Sequence, residues 1–225
     1  MGAGPGSEPL GAATERERAE MVAAQLRRRG IADERVLAAM GTVPREAFVD
    51  VDQQPHAYDD DALPIALGQS ISQPYIVARM TELLGVRPGD RVLEVGSGSG
   101  YQAAILATLG ALVLSIERHP DLAAAARERL DKLGLGASVQ IRVGDGSLGV
   151  PDAAPFDGIV VTAAPPAIPT PLLDQLAEGG RLVIPVGPRD RQKLIVATRH
   201  GSDWEQRSAG DCVFVPLIGA GGWPG

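Results

Sequence analysis

A chain of 225 residues is long enough for one domain with a continuous core, and 44% hydrophobic with 22% charged residues points to neither a disordered nor a membrane-spanning protein. The formal charge of −7 and a pI near 5.0 repel phosphate backbones, so no nucleic-acid partner is expected. A single cysteine, Cys212, rules out an intramolecular disulfide, and three histidines (56, 119 and 200) are too scattered for a metal motif, so no metal is expected.

Residues 1–13 are mostly Gly, Ala and Pro and read as a disordered leader; no signal peptide and no apolar run of ~20 residues follows, so a cytoplasmic location without a membrane partner is expected. From Thr14 the pattern is helical. Met21, Val22, Gln25, Leu26 and Arg29 fall at 3.6-residue spacing, Thr14 with Glu17 forms a capping box and Gly30 stops the helix, while Arg27, Arg28 and Arg29 make a solvated basic face. A second short helix has Asp33 at its N-cap and Val36, Leu37 and Met40 on one face. The two helices read either as a cap on the fold that follows or as packing against its edge. Residues 63–75 mix apolar residues with Ser, Gln and Pro and lack a period until Ile76, where a helix carrying Val77, Met80, Leu83 and Leu84 begins. Ser70 and Ser72 ahead of Pro74 suit either helix capping or a ligand.

Residues 91–95 form a short buried strand and residues 102–107 a helix, with glycines at 96, 98 and 100 in the turn between them. Such a turn lets a ligand approach the main chain and offers it the free N–H groups of a helix start. The dinucleotide fingerprint is G-x-G-x-x-G; here G-x-G-x-G preceded by Glu94 favours S-adenosylmethionine. The next strand, 112–116, ends at Glu117, where a carboxylate accepts the two hydroxyls of a ribose. A helix over 120–133 stopped by Gly134 and a strand over 139–143 lead to Gly144-Asp145-Gly146, a loop that lies beside adenine in a nucleoside-binding sheet, with Asp145 as acceptor of the amino group. The strand 158–162 runs into Ala163-Ala164-Pro165-Pro166, which lacks the polar acceptor and the aromatic platform that methylation of a flipped base requires. A helix over 172–177 stopped by Gly179-Gly180, a strand over 181–186, and an antiparallel pair of 193–198 with 212–217 complete the chain.

These elements predict an α/β, Rossmann-like S-adenosylmethionine-dependent methyltransferase fold: a mostly parallel sheet with helices on both faces, an N-terminal helical cap and C-terminal antiparallel strands. One domain is expected over 14–225, with cap and active-site loop at 14–75 and the nucleotide-binding sheet and final strands at 76–225.

Four runs are more specific: Val43-Pro44-Arg45-Glu46, the Leu-Pro-Ile to Gly-Gln-Ser-Ile-Ser-Gln-Pro-Tyr run of 63–75, Leu-Glu-Val-Gly-Ser-Gly-Ser-Gly-Tyr of 93–101 and Phe-Val-Pro-Leu of 214–217. By these the chain, from about 14 to 223, resembles the protein-L-isoaspartate O-methyltransferases. The resemblance implies Ser72 as the active-site hydroxyl; Gln69, Ser70, Ile71 and Ser72 along the cofactor; Gly96 and Gly98 in the glycine turn; Glu117 on the ribose; and Asp145 with Gly146 beside adenine. Ser70 stands where the family usually carries Thr, which keeps the hydroxyl, and Ala66 where Gly is common.

The resemblance also implies transfer of the methyl group of S-adenosylmethionine to the free α-carboxylate of L-isoaspartyl residues in damaged proteins and peptides, whose methyl ester then closes to a succinimide. That carboxylate is ionised at pH 7, with a pKa near ~4, so no general base is needed, in keeping with a chain that has no His-Asp pair. A monomer is expected. A methyltransferase acting on a small molecule or RNA would share residues 92–186 but would leave the 63–75 run unexplained.

Overall fold

The computed structural model describes residues 10–225. Helix α1 (Leu10–Glu20) continues through a π-helical stretch at Met21–Leu26 and a 3-10 turn at Arg27–Arg29, and Gly30, with φ of 93°, ends it as the sequence predicts. Its start differs. The helix begins at Leu10, so Thr14 and Glu17 lie inside it rather than as a capping box. The alanines at 12 and 13 extend the helix backward, since alanine is the best helix former. The rest of the predicted leader, residues 1–9, lies outside the described residues. Helix α2 (Glu34–Thr42) starts where predicted, with the Asp33 carboxylate accepting from the Arg35 N–H. A two-residue hairpin, β1 (Leu63–Pro64) against β2 (Ser70–Ile71), leads into α3 (Pro74–Leu84), which opens on Pro74 with no side-chain cap from Gln73.

The sheet then forms by alternation of β3 (Arg91–Val95), α4 (Tyr101–Thr108), β4 (Leu112–Glu117), α5 (Pro120–Lys132), β5 (Val139–Val143), β6 (Phe156–Val161), α6 (Thr170–Asp174), β7 (Leu176–Val186), β8 (Gln192–His200) and β9 (Asp203–Cys212). The strand order is β5-β4-β3-β6-β7-β8-β9, parallel from β5 to β7 and antiparallel thereafter. The chain winds outward from β3 on one side, then returns to lay β6 on the other. The order therefore reverses between β3 and β6, and in open α/β sheets ligands bind at the carboxyl ends of the strands at such a reversal.

Alternation along the strands divides the core. Val92, Val113, Val160 and Val183 face the layer formed by α1 to α5, while Leu93, Val95, Ile116, Ile159 and Ile184 face Phe156, Leu172 and Leu173 on the side of α6. Each such buried aliphatic side chain contributes about 1.5–3 kcal/mol.

Two predicted elements are corrected. The helix expected over 172–177 ends at Asp174, and β7 runs through Gly179 and Gly180, which make a bulge instead of a helix stop. A Cβ on Gly180 would lie 2.9–3.1 Å from the carbonyl oxygens of Ala177, Phe156 and Asp157, so only glycine lets the strands meet there. The partner of β8 is β9, which ends at Cys212 opposite Gln192, not residues 213–217. Those residues leave the sheet and cross the carboxyl ends of its strands, held by Ala164 N–H donating to Val215 O and Leu217 N–H donating to Ala164 O. Pro216, without an N–H, cannot continue a ladder.

Candidate active site

The turn between β3 and α4 is shaped by what surrounds it. Gly96 has φ of 96°, and a Cβ there would fall 2.4 Å from the Thr162 hydroxyl, which itself donates to the Val95 and Gly96 carbonyls at 3.1 and 2.7 Å. The end of β6 thus holds the turn, and glycine at 96 is obligatory on both counts. Gly98 donates its N–H to Glu117 Oε2 at 2.9 Å, and His119 N–H donates to Oε1 at 3.0 Å. The carboxylate at the tip of β4 is therefore fixed and only 5% exposed. Each of its oxygens retains a lone pair.

One cavity gathers most of the predicted residues. Its walls are Gln69, Ser70, Ile71 and Ser72 from the β2 segment, Gly96 and Gly98 from the turn, Glu117 from β4 and Gly146 from the loop after β5. Asp145 is placed differently from its neighbours. Its carboxylate does not line the cavity but accepts from the Ser147 N–H (2.9 Å), the Ser147 hydroxyl (2.6 Å) and the Ala220 N–H (2.7 Å). Burial pushes this carboxyl up, yet those donors, led by the Ser147 hydroxyl, together hold it below the usual range. It ties the loop after β5 to the C-terminal segment.

The structure adds residues to which the sequence assigned no site role, some of them inside the quoted runs. Ser97, Ser99, Tyr101 and Gln102 line the cavity from the glycine turn and the start of α4, Arg118 and His119 from beyond β4, Thr162 and Ala163 from the end of β6, and residues 215–218 from the C-terminal crossing. The Ala-Ala-Pro-Pro run hid the β6 contribution because its chemistry lies in one hydroxyl and the main chain. Tyr101 is fully buried, its phenol pushed up to about 12 by burial, with the Phe48 ring packed edge-to-face at 5.4 Å between ring centres and the Arg45 guanidinium over its ring at 4.9 Å. Arg45, also fully buried, donates Nε–H to the Ala57 carbonyl at 2.7 Å. The Val-Pro-Arg-Glu run thus braces a cavity wall from outside.

A second groove adjoins the first and shares Ser70, Ser72, Thr162 and Val215 with it. Its remaining wall carries Arg29, stacked 3.7 Å from the centre of the Tyr75 ring, Asp61, Cys212 and the exposed Val213. Burial raises the Cys212 thiol to about 11, which keeps it protonated and unreactive. Ser72 stands at the junction of the two spaces.

The sequence profile of the protein-L-isoaspartate(D-aspartate) O-methyltransferases matches residues 16–221. The chain belongs to that family. A protein-L-isoaspartate O-methyltransferase of Methanoculleus marisnigri is 57% identical over 93% of this chain and 95% of its own length, and one of Methylorubrum populi is 57% identical over 91% and 96%. Among solved structures, a beta-aspartate methyltransferase of Plasmodium falciparum in complex with S-adenosyl-L-homocysteine superposes with a TM-score of 0.79 at 27% identity, covering 89% of this chain and 98% of that one. As a member of the isoaspartate methyltransferase family the chain is an enzyme with the Rossmann-like α/β fold.

Proposed function

We propose that Ser72 orients the acceptor carboxylate in an enzyme that transfers the methyl group of S-adenosylmethionine to the free α-carboxylate of L-isoaspartyl residues in damaged proteins and peptides, initiating repair through a succinimide. The observation that carries this reading is the junction: Ser72, together with Ser70 and Thr162, borders both the cavity built on the glycine turn and the groove beside it.

The residues fit the cofactor. Glu117 offers two fixed oxygens to a ribose, Gly146 lines the cavity with it, Gly96 and Gly98 leave the main chain open, and residues 69–72 form a further wall. Asp145 supports the adenine side from behind, by holding the loop that carries Gly146. When bound, the cofactor supplies an electrophilic methyl on a sulfonium. Because the acceptor is already a carboxylate, this chain has no proton to remove. Its residues provide approach and alignment: Ser72 donates one hydrogen bond to a carboxylate oxygen, and the apolar surfaces of Val77 and Val215 limit water around it. The groove beyond, with Tyr75 and Val213, receives the peptide on either side of the damaged residue.

The helical segment 14–75 serves as cap and active-site loop for the sheet of 76–225. The enzyme works as a monomer in the cytoplasm without a nucleic-acid partner, a reading supported by its charge; no helix among the described residues is long and apolar enough to cross a membrane. Ser72→Ala tests the central role. Losing one hydrogen bond to a charged group, worth about 1.5–3 kcal/mol, lowers kcat by roughly ten- to a hundredfold, while the Kd for S-adenosylhomocysteine, measured by calorimetry, stays within about threefold. An unchanged kcat contradicts the assignment.

A further inference from the structure

Glu94, two residues before the glycine turn, is a carboxyl in an apolar layer. It is fully buried on the helical face of the sheet, in register with Ser115 of β4 and Val160 of β6. No basic side chain forms an ion pair with it among the described residues. Its Oε2 meets the Ser115 hydroxyl in a short hydrogen bond, and its Oε1 completes no hydrogen bond of ordinary geometry among the described residues. Burial first, and then the Glu117 carboxylate, push its pKa up, against the opposing Ser115 hydroxyl and Ala103 amide, to about 8. A carboxyl so placed is neutral at pH 7 in the free protein. It is also connected to the cavity: Ser115 Oγ lies 2.5 Å from Ser97 Oγ, and Ser97 forms part of the cavity wall. Three side chains thus make one line of hydrogen bonds from the buried acid to the space that receives the cofactor.

We propose that Glu94 is the charge-compensating acid of the cofactor site, giving up its proton when the cationic methionine end of S-adenosylmethionine binds. This rests on the reading of the cavity given above, in which the ribose lies on Glu117 and the methyl group near Ser72, so that sulfonium and ammonium fall over the turn that bears Ser97. The O–H bond of Glu94 breaks, the proton passes by way of the Ser115 and Ser97 hydroxyls to the cavity and the solvent, and the carboxylate left behind faces the new positive charge. The other titratable groups facing this region are Glu117 on β4, Tyr101 on α4, and Arg118 and His119 beyond β4; β6 contributes Val160 and no charge. An opposite charge brought close lowers a carboxyl by about 1–3 pKa units, enough to ionise half or more of Glu94 at pH 7.

Calorimetric titration of the protein with S-adenosylmethionine at pH 7, in two buffers of different ionisation enthalpy, counts the protons released. The expected result is about half a proton or more per cofactor bound, and an affinity that rises about two- to twentyfold from pH 5.5 to 7, below the ~7.7 at which an α-amino group titrates. Glu94→Gln binds without the buffer-dependent heat. His119→Gln, which removes the imidazole at the cavity wall, keeps it, and this variant decides the matter should Glu94→Gln fail to fold. Binding with no proton release by the wild type, or release that survives in Glu94→Gln or vanishes in His119→Gln, overturns the proposal while leaving the cofactor reading intact. Absence of any binding overturns both.

Discussion

At the residue scale, the site works through groups whose options are already restricted by their neighbours. Glu117 is the clearest case, because both of its oxygens are anchored by main-chain N–H groups before any ligand arrives. Glu117→Ala removes the ribose acceptor and also frees the glycine turn. We expect S-adenosylhomocysteine to bind about ten- to a hundredfold more weakly, consistent with loss of hydrogen bonds to a charged group, and the thermal midpoint to fall as well. Glu94 gives a pH signature. Its carboxyl is raised from 4.5 to about 8 by burial, so the folded protein holds a proton that the unfolded chain has lost. For an acid raised on folding, stability is greatest below the unfolded pKa and declines as pH climbs through the folded one. The thermal midpoint of the free protein is therefore expected to drop between about pH 5 and pH 8, and that part of the drop to disappear in Glu94→Gln. A midpoint equally flat in both proteins contradicts a neutral buried Glu94.

At the element scale, the bulge in β7 is a prediction of its own. Gly180 lies 2.9–3.1 Å, in Cβ terms, from three carbonyl oxygens, so Gly180→Ala must force β6 and β7 apart. A loss of about 1–3 kcal/mol in urea unfolding is expected, with cofactor affinity unchanged because the cavity lies away from that end of the strands. The same bulge shows why part of the fold was not legible in the sequence. Leu172, Leu173 and Leu176 followed by two glycines imitate a helix and its stop, and only the approach of another backbone reveals that the glycines are there for contact. Phe214 to Leu217 looks like an apolar strand for the same kind of reason: composition records that it is buried, not that Pro216 prevents a ladder and turns it across the active site. By contrast β3, with four of its five residues buried, and the acid at the tip of β4 were readable to the residue, because strand alternation and turn glycines are local signals. The cavity walls from α4, β6 and the C-terminal crossing were not, since Tyr101, Thr162 and Val215 acquire their place only through the winding of the sheet.

At the scale of the whole molecule, the strand order matters more than any single contact. Winding β4 and β5 to one side of β3 and β6 and β7 to the other opens the crevice in which the glycine turn, Glu117, Thr162 and the C-terminal crossing meet. The helical layer on one face supplies, through the β2 segment, the remaining wall and the Ser72 hydroxyl. We expect this crevice, with its adjoining groove, to methylate isoaspartyl carboxylates. The most direct test is transfer of label from methyl-labelled S-adenosylmethionine to a short peptide containing one isoaspartate, with the matched normal-aspartate peptide as control and Ser72→Ala beside the wild type. Label is expected on the isoaspartyl peptide alone, reduced by roughly ten- to a hundredfold in the variant. Equal labelling of both peptides, or none from a protein that still binds the cofactor, contradicts this expectation.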